Sequence, residues 1–408
     1  MTAPSTARPP ARAAVSVWGP GLLVMLADAD AGNVVTAAQG GAIWGYRLLP
    51  LVLLLIPALF MVQELAVRLG LATGLGFGEL VRQRFGPAWA WLCGAVLAIA
   101  VFGSLITEFT GIAGIGELYG VPRAASLGLA GGCLLAVVLT GWYRRVERIA
   151  IAIGMFELAF LFVAWQAHPG AAAVLADLSD LPLGDARFLF LAAALVGATF
   201  NPWMIFYQQS AIAGKGLRPS NRSAARWDTA VGAALTQVVT AAVLVAAAAT
   251  LGGSGVALDS VGRISDALTP FLGLQVGRLL FSAGVLGAAT VAAIVCSLAL
   301  AWGIAEVAGQ RRALGGAVPR NRWFHAAYAG GVAGCAGLTW WAPDLVWLNI
   351  AAQVANAVLL PVLVGTLVVL AATVLPVGDR LRGWYLLLVA AVCTALAALG
   401  LVGAAGSL

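Results

Sequence analysis

Leu26-Ala27-Asp28-Ala29-Asp30-Ala31-Gly32-Asn33 sets two carboxylates and an amide in the middle of an apolar run that extends from about residue 17 to residue 45. A carboxylate at bilayer depth costs from ~2.5 kcal/mol on insertion scales to more than ~10 kcal/mol in simulations, so a span that keeps one generally uses it. A second interrupted run, 187–213, carries Gly197-Ala198-Thr199-Phe200-Asn201-Pro202 at its centre. Pro202 removes an amide hydrogen and crowds the carbonyl of Ala198, and Gly32 is expected to weaken the first helix through its backbone freedom. Broken spans in corresponding places of two halves point to the binding site of a secondary transporter.

Working outward, the rest of the chain fits a membrane protein. At 62% hydrophobic and 10% charged residues over 408 positions, with mean hydropathy +0.96, the sequence has too little polar surface for a water-soluble globule. Apolar runs long enough to cross a bilayer recur at 17–45, 47–69, 87–118, 124–143, 147–167, 187–213, 228–252, 276–308, 323–341, 345–374 and 383–403, predicting eleven spans. Five spans precede the second broken one, so the bundle that starts there enters the membrane in the opposite orientation. That predicts an all-α polytopic protein with an inverted five-plus-five repeat: 17–167 and 187–374 form a ten-span core, 383–403 adds an eleventh span, and 1–16 is a disordered cytoplasmic tail. Eighteen of the 23 basic residues, among them Arg68, Arg82, Arg84, Lys215, Arg222 and Arg226, fall on the side that holds the N-terminus. The positive-inside rule therefore predicts a multi-pass plasma (cell inner) membrane protein with the N-terminus cytoplasmic and the C-terminus outside. Spread among loops, these charges form no nucleic-acid patch, and the expected partners are the lipid bilayer and a small cation, with the chain acting as a monomer. The five cysteines lie in apolar runs without a CxxC pair, signalling neither a disulfide framework nor a zinc site.

The chemistry at the breaks is that of oxygen. Asp30 offers charge, Asn33 and Asn201 offer amide oxygens, and the carbonyls freed near Ala198 and Asp30 offer dipoles, a set suited to hard divalent ions such as Mg2+ and Mn2+. No Met, Cys or His lies in either break, and Met204 follows Asn201 one turn on as a pore-lining candidate. The expected ligands are Asp30, Asn33, Ala198 and Asn201. Asp28, Glu108, Met204, Trp203, Gln208, Gln353 and Asn356 are candidates for the cavity or its surroundings. Glu64, Glu157 and Glu306, nearer the span ends, read as partners of arginines. With no Ser/His, Cys/His or multi-carboxylate constellation, the chain is not read as an enzyme, and its metal is cargo rather than cofactor.

Gly19-Pro20-Gly21 followed by Asp30-Ala31-Gly32-Asn33 resembles the first span of the Nramp divalent-metal transporters, whose signature there is D-P-G-N. The stretch 65–74, Thr107-Glu108 through Gly114, Gly197-Ala198-Thr199 with Pro202, and Gln353-Val354 with Leu360-Pro361 resemble the family's second, third, sixth and tenth spans in order. The resemblance implies a LeuT-like broken-helix fold and divalent-metal transport by alternating access. Where that family carries a methionine before the sixth-span proline, this chain has Asn201, and the two sixth-span histidines fall at Trp203 and Gln208. The run 202–210 is most similar to the divergent Nramp-related magnesium branch, which implies transport of Mg2+, and also Mn2+, without proton coupling. The alternatives are a proton-coupled Mn2+ or Fe2+ importer and, more distantly, an amino-acid or amine transporter of the same fold, whose anionic substrate group Asp30 would repel.

Overall fold

A computed structural model describes residues 19–140, 143–252, 257–310 and 322–405. The tail 1–16 and the arginines at 311, 312 and 320 lie outside the described residues. The first broken span is built from α1 (Pro20–Leu26) and α2 (Ala31–Trp44), bent by 50° across the intervening residues. Pro20 starts α1 at the one place where a missing amide hydrogen costs nothing, and Asp30 starts α2 by accepting the Asn33 N–H at 2.7 Å. Gly32 lies inside α2, not in the break, contrary to the expectation from its backbone freedom. A methyl group there would overlap the Gln353 Nε2, so close packing is what requires glycine.

Two long helices follow, α3 (Leu49–Thr73) and α4 (Phe77–Leu118). The latter has a non-helical joint at Gly86, with φ 86° ahead of Pro87, so the third span starts where the sequence places it. Next come α5 (Arg123–Thr140), α6 (Tyr143–Gly154), a 3-10 turn (Met155–Leu158) and α7 (Ala159–Gln166). The expected fifth span thus runs as one helix over 149–166 that tightens to 3-10 geometry for one turn in its middle. A loop helix α8 (Ala171–Ser179) ties to the α2–α3 turn through Arg47–Asp177 at 3.2 Å and Asp177 accepting the Tyr46 N–H at 2.8 Å.

The second broken span is α9 (Ala186–Thr199) and α10 (Pro202–Gly214), separated only by Phe200 and Asn201. Its halves stay close enough to collinear to count as one long helix, a milder break than the first. Pro202 acts as an N-terminal helix residue here, like Pro20. The remainder is α11 (Arg222–Leu251), α12 (Val261–Leu268), α13 (Leu274–Val307), α14 (Arg322–Trp341), α15 (Leu345–Thr373) and α16 (Gly383–Ala405). Helices occupy every segment expected to span. By length and apolarity eight described helices qualify, or nine with the bent α1–α2 pair taken as one.

The core wraps the two broken spans: α2 packs on α11, α9 on α15 and α16, and α4 on α13 and α15. Where α9 meets α15, a methyl on Gly197 would collide with the Gln353 carbonyl. Two glycines, one from each broken span, therefore press on the same residue of α15. Close approach of this kind replaces the hydrophobic drive that helices lack in lipid.

Candidate metal site

Where α1 ends and α2 begins, the chain exposes one helix's last carbonyls and the next helix's first amides. The second of these is filled by negative groups. Asp30 Oδ1 takes the Asn33 N–H, and Glu108 from α4 reaches across with Oε2 accepting the Ala31 N–H at 3.3 Å. Thr107 Oγ1 donates to the other Glu108 oxygen at 3.1 Å. The sequence calls for such a hydroxyl and amide to satisfy a mid-span acid, and the N-terminal half-charge of α2 adds to them. Asp30 and Glu108 are themselves in hydrogen-bonding contact, and two carboxyl groups so placed repel unless a proton or a cation lies between them. Asp30 Oδ2 has no partner.

Asn33 donates from Nδ2 to the Asp28 carbonyl at 3.1 Å, while its Oδ1 accepts from Thr240 Oγ1 of α11 at 3.1 Å. Across the site, Asn201 Nδ2 donates to the Ala198 carbonyl at 3.1 Å. This is the carbonyl that Pro202 leaves without its helical partner, as its missing amide hydrogen requires. Asn201 Oδ1 accepts from Ser104 Oγ at 2.9 Å and from Asn356 Nδ2 at 2.6 Å, and Asn356 also donates to Gln353 Oε1 at 3.1 Å. Asp28 lies beside Asn201, so the two breaks meet. Asp28, Asp30, Asn33, Asn201, Glu108, Gln353 and Asn356 are all at most 1% exposed, so the centre is closed off from both sides.

The expected ligand set of Asp30, Asn33, Ala198 and Asn201 is thus brought together, with Asp28, Glu108, Gln353 and Asn356 around it. Met204 is packed in the apolar core, and Trp203 is fully buried with its indole N–H unpartnered. Gln208 donates to Thr229 of α11 at 3.1 Å, further along α10. Among the described residues no group of three or more His, Cys, Asp and Glu side chains is arranged to hold a metal. One carboxylate with amide and carbonyl oxygens is a different kind of site, matched to hard ions that retain water.

Of the three glutamates read as arginine partners, Glu64 is one: Arg68 lies 2.6 Å and Arg226 3.1 Å from it. Glu306 accepts from Ser210 Oγ at 2.7 Å and from the Gly78 N–H at 3.1 Å, tying α13 to α10 and α4. Glu157 sits at the 3-10 turn, fully buried, with neither oxygen partnered. Its place in the middle of a span, rather than at a span end, explains the difference. Sequence reasoning also passed over Ser104 and Thr240, ordinary hydroxyls with no motif, and Asp228 of α11. The Asp228 carboxylate accepts the N–H groups of Gly21 at 2.7 Å and of Gly19 and Leu22 at 3.2 Å, holding the start of α1.

A family model described as "Natural resistance-associated macrophage protein-like" (Nramp) matches residues 21–404. The chain is similar to proteins named "Divalent metal cation transporter MntH". That of Bradyrhizobium diazoefficiens is 28% identical over 69% of this chain and 65% of its own length, and that of Ralstonia nicotianae 31% identical over 66% and 64%. The match to these relatives spans slightly less than two thirds of their length. Among solved structures, the Eremococcus coleocola manganese transporter superposes with a TM-score of 0.77 at 18% identity, covering 98% of this chain and 88% of that one. The nucleobase-cation-symport-1 family transporter Mhp1 gives 0.60 at 14% identity, covering 95% and 90%. Both likenesses concern the fold.

Proposed function

The chain belongs to the Nramp family, and from that membership we propose that it carries divalent metal cations across the membrane by alternating access, with Mn2+ as its cargo. The observation that carries the reading is Asp30: a buried carboxylate at the joint of a broken span, one oxygen unpartnered, beside Asn33, Asn201 and the Ala198 carbonyl. Mn2+ is the metal in the name of the solved relative. The cation would replace the contacts that now fill the site: Asp30 Oδ2 supplies the charge, the asparagine oxygens and the Ala198 carbonyl supply dipoles, and water completes the shell. The Asp30–Glu108 carboxyl contact supplies a place for a proton to travel with the cargo. The arginine distribution supports a cell-membrane topology with the N-terminus inside.

A second reading, selective Mg2+ transport without protons, is favoured by one observation. Asn201 offers only oxygen and nitrogen where the family resemblance expects sulfur, and the nearest thioether, Met204, is packed into the apolar core. A divalent ion gains about 4.6 kcal/mol per 100 mV of membrane potential, so accumulation needs no second ion.

Purified protein in liposomes, loaded with dyes for Mn2+, Mg2+ and protons, tests both. Mn2+ influx with lumen acidification supports the first reading, and Mg2+ influx with no acidification supports the second. Uptake of neither ion, or uptake unchanged by Asp30→Ala, removes divalent-metal transport as the function.

A further inference from the structure

The outward face of α11 changes character along its length. In its first turns and the 3-10 turn before them (Pro219–Asn221), Ser220, Ser223, Arg226 and Trp227 are exposed at helical spacing, Trp227 to 64%. Further on, the same face shows Val231 and Val238, both exposed, and the helix holds no charged residue after Asp228. Phe60 of the neighbouring α3 joins Arg222 and these residues in lining a groove of about 890 Å³. The Arg226 guanidinium lies 6.0 Å from the centre of the Phe60 ring, so the groove is basic at one end and apolar at the other.

The two arginines are each held by a carboxylate. Arg226 Nε lies 3.1 Å from Glu64 Oε1, and Arg222 pairs with Asp379 through Nη1 while its Nη2 stands 4.0 Å from Glu64. These pairs use only part of what a guanidinium offers, because its fork carries five N–H donors. Arg222 Nε is buried and has no partner. A buried charged donor left in that state costs free energy that an anionic oxygen recovers. Arg68 also binds Glu64, so three guanidinium groups meet two carboxylates and the cluster remains positive.

We infer that this groove holds an anionic phospholipid of the leaflet that the arginine distribution makes cytoplasmic. Its phosphodiester sits between Arg222 and Arg226, with the Ser220 and Ser223 hydroxyls as further donors. One acyl chain runs past Phe60 and Trp227 towards Val231 and Val238. A soluble phosphate would meet the same donors, but the apolar strip that continues from them suits only a ligand with a hydrocarbon tail. Trp227 has the exposure and the level of an interfacial anchor, beside the last charges before the hydrocarbon. Basic pockets between spans on the cytoplasmic side suit anionic headgroups, since the lipid surface there is negative. The bound lipid adds its phosphate to the ion pairs that already tie α3 to α11 and to the segment between α15 and α16.

The test uses the full chain in nanodiscs of phosphatidylglycerol and phosphatidylcholine in equal parts, with the lipids that stay bound read by native mass spectrometry. Wild type should retain phosphatidylglycerol over phosphatidylcholine about tenfold, the factor expected of one charge-assisted contact. Ser223→Glu sets a negative charge in the groove without touching either ion pair and should abolish that preference. Arg226→Gln should do the same, and Ser223→Glu decides the matter if Arg226→Gln fails to fold. In detergent, added phosphatidylglycerol should raise the melting temperature of wild type, and millimolar inorganic phosphate should not. Equal retention of the two lipids by wild type, an undiminished preference in Ser223→Glu, or stabilisation by inorganic phosphate as large as by the lipid overturns the site. None of these readouts involves uptake, so the lipid site stands or falls apart from the proposed cargo.

Discussion

Asn356 Nδ2 donates to Asn201 Oδ1 at 2.6 Å, the shortest link between α15 and the second break, and Ser104 Oγ donates to the same oxygen at 2.9 Å from α4. The amide oxygen that is expected to face the metal is therefore held by two donors on two other helices. Its nitrogen is fixed as well, on the Ala198 carbonyl. Binding of a cation replaces one of these two neutral hydrogen bonds by an ion–dipole contact, and the remaining donor keeps the oxygen from rotating away.

Residues acting through one atom do not contribute independently. Asn356→Ala and Asn201→Ala should each weaken Mn2+ binding about tenfold, and the double variant should be little worse than either single one. Isothermal titration of the three proteins measures this, and additive losses would show that Asn356 acts elsewhere.

Replacing the amide by a thioether addresses selectivity. Asn201→Met should raise affinity for Mn2+ and Cd2+ relative to Mg2+ by about tenfold or more, since sulfur pairs with softer ions and has little affinity for Mg2+. Competition of Cd2+ and Mg2+ against Mn2+ uptake reads the ratio. An unchanged ratio would mean that position 201 does not touch the ion.

Much of this was legible in the sequence because membranes leave few options. Acids and amides inside apolar runs are visible at once, as is the proline at 202 that starts a helix after a break. What was not legible depends on partners remote in sequence. Gly32 looked like a hinge and is instead a contact surface for Gln353, more than 300 positions away. Glu157 looked like a span-end acid, but the helix that carries it runs on over 149–166 and leaves it mid-span. Ser104 and Thr240 orient the two asparagines, but a serine or threonine inside a span more often bonds its own helix, as Thr240 also does to Thr236.

The glycine contact predicts a specific loss. Gly32→Ala pushes a methyl into Gln353 Nε2, at the point where α15 closes on the first broken span. Overpacking of this sort costs roughly 1–3 kcal/mol, so the variant should melt lower and should trap metal poorly, with faster release of bound Mn2+. Gln353→Ala in the same chain should recover much of the stability by making room. No recovery would place the strain elsewhere.

The carboxylate of Asp228 holds the first turn of α1 by the N–H groups of Gly19, Gly21 and Leu22, and Gly21 has no room for a side chain because that carboxylate and Thr229 fill the space. The start of α1 is thereby fastened to α11 rather than to its own continuation, which the break at 27–30 has already uncoupled. A seven-residue helix cannot hold itself in place by backbone bonds alone, so its position follows the fastening. Asp228→Ala leaves those buried amides without an acceptor, at about 1–3 kcal/mol, and α1 should swing away from α11. A single cysteine placed at Ala27, fully buried in the closed structure, should then react with a membrane-impermeant maleimide added from the α1 side several-fold faster than with Asp228 intact. Asp228→Asn, which keeps one acceptor oxygen, should fall between the two. Equal labelling in all three would mean that α1 is held by its packing on α10 and α11 and not by Asp228.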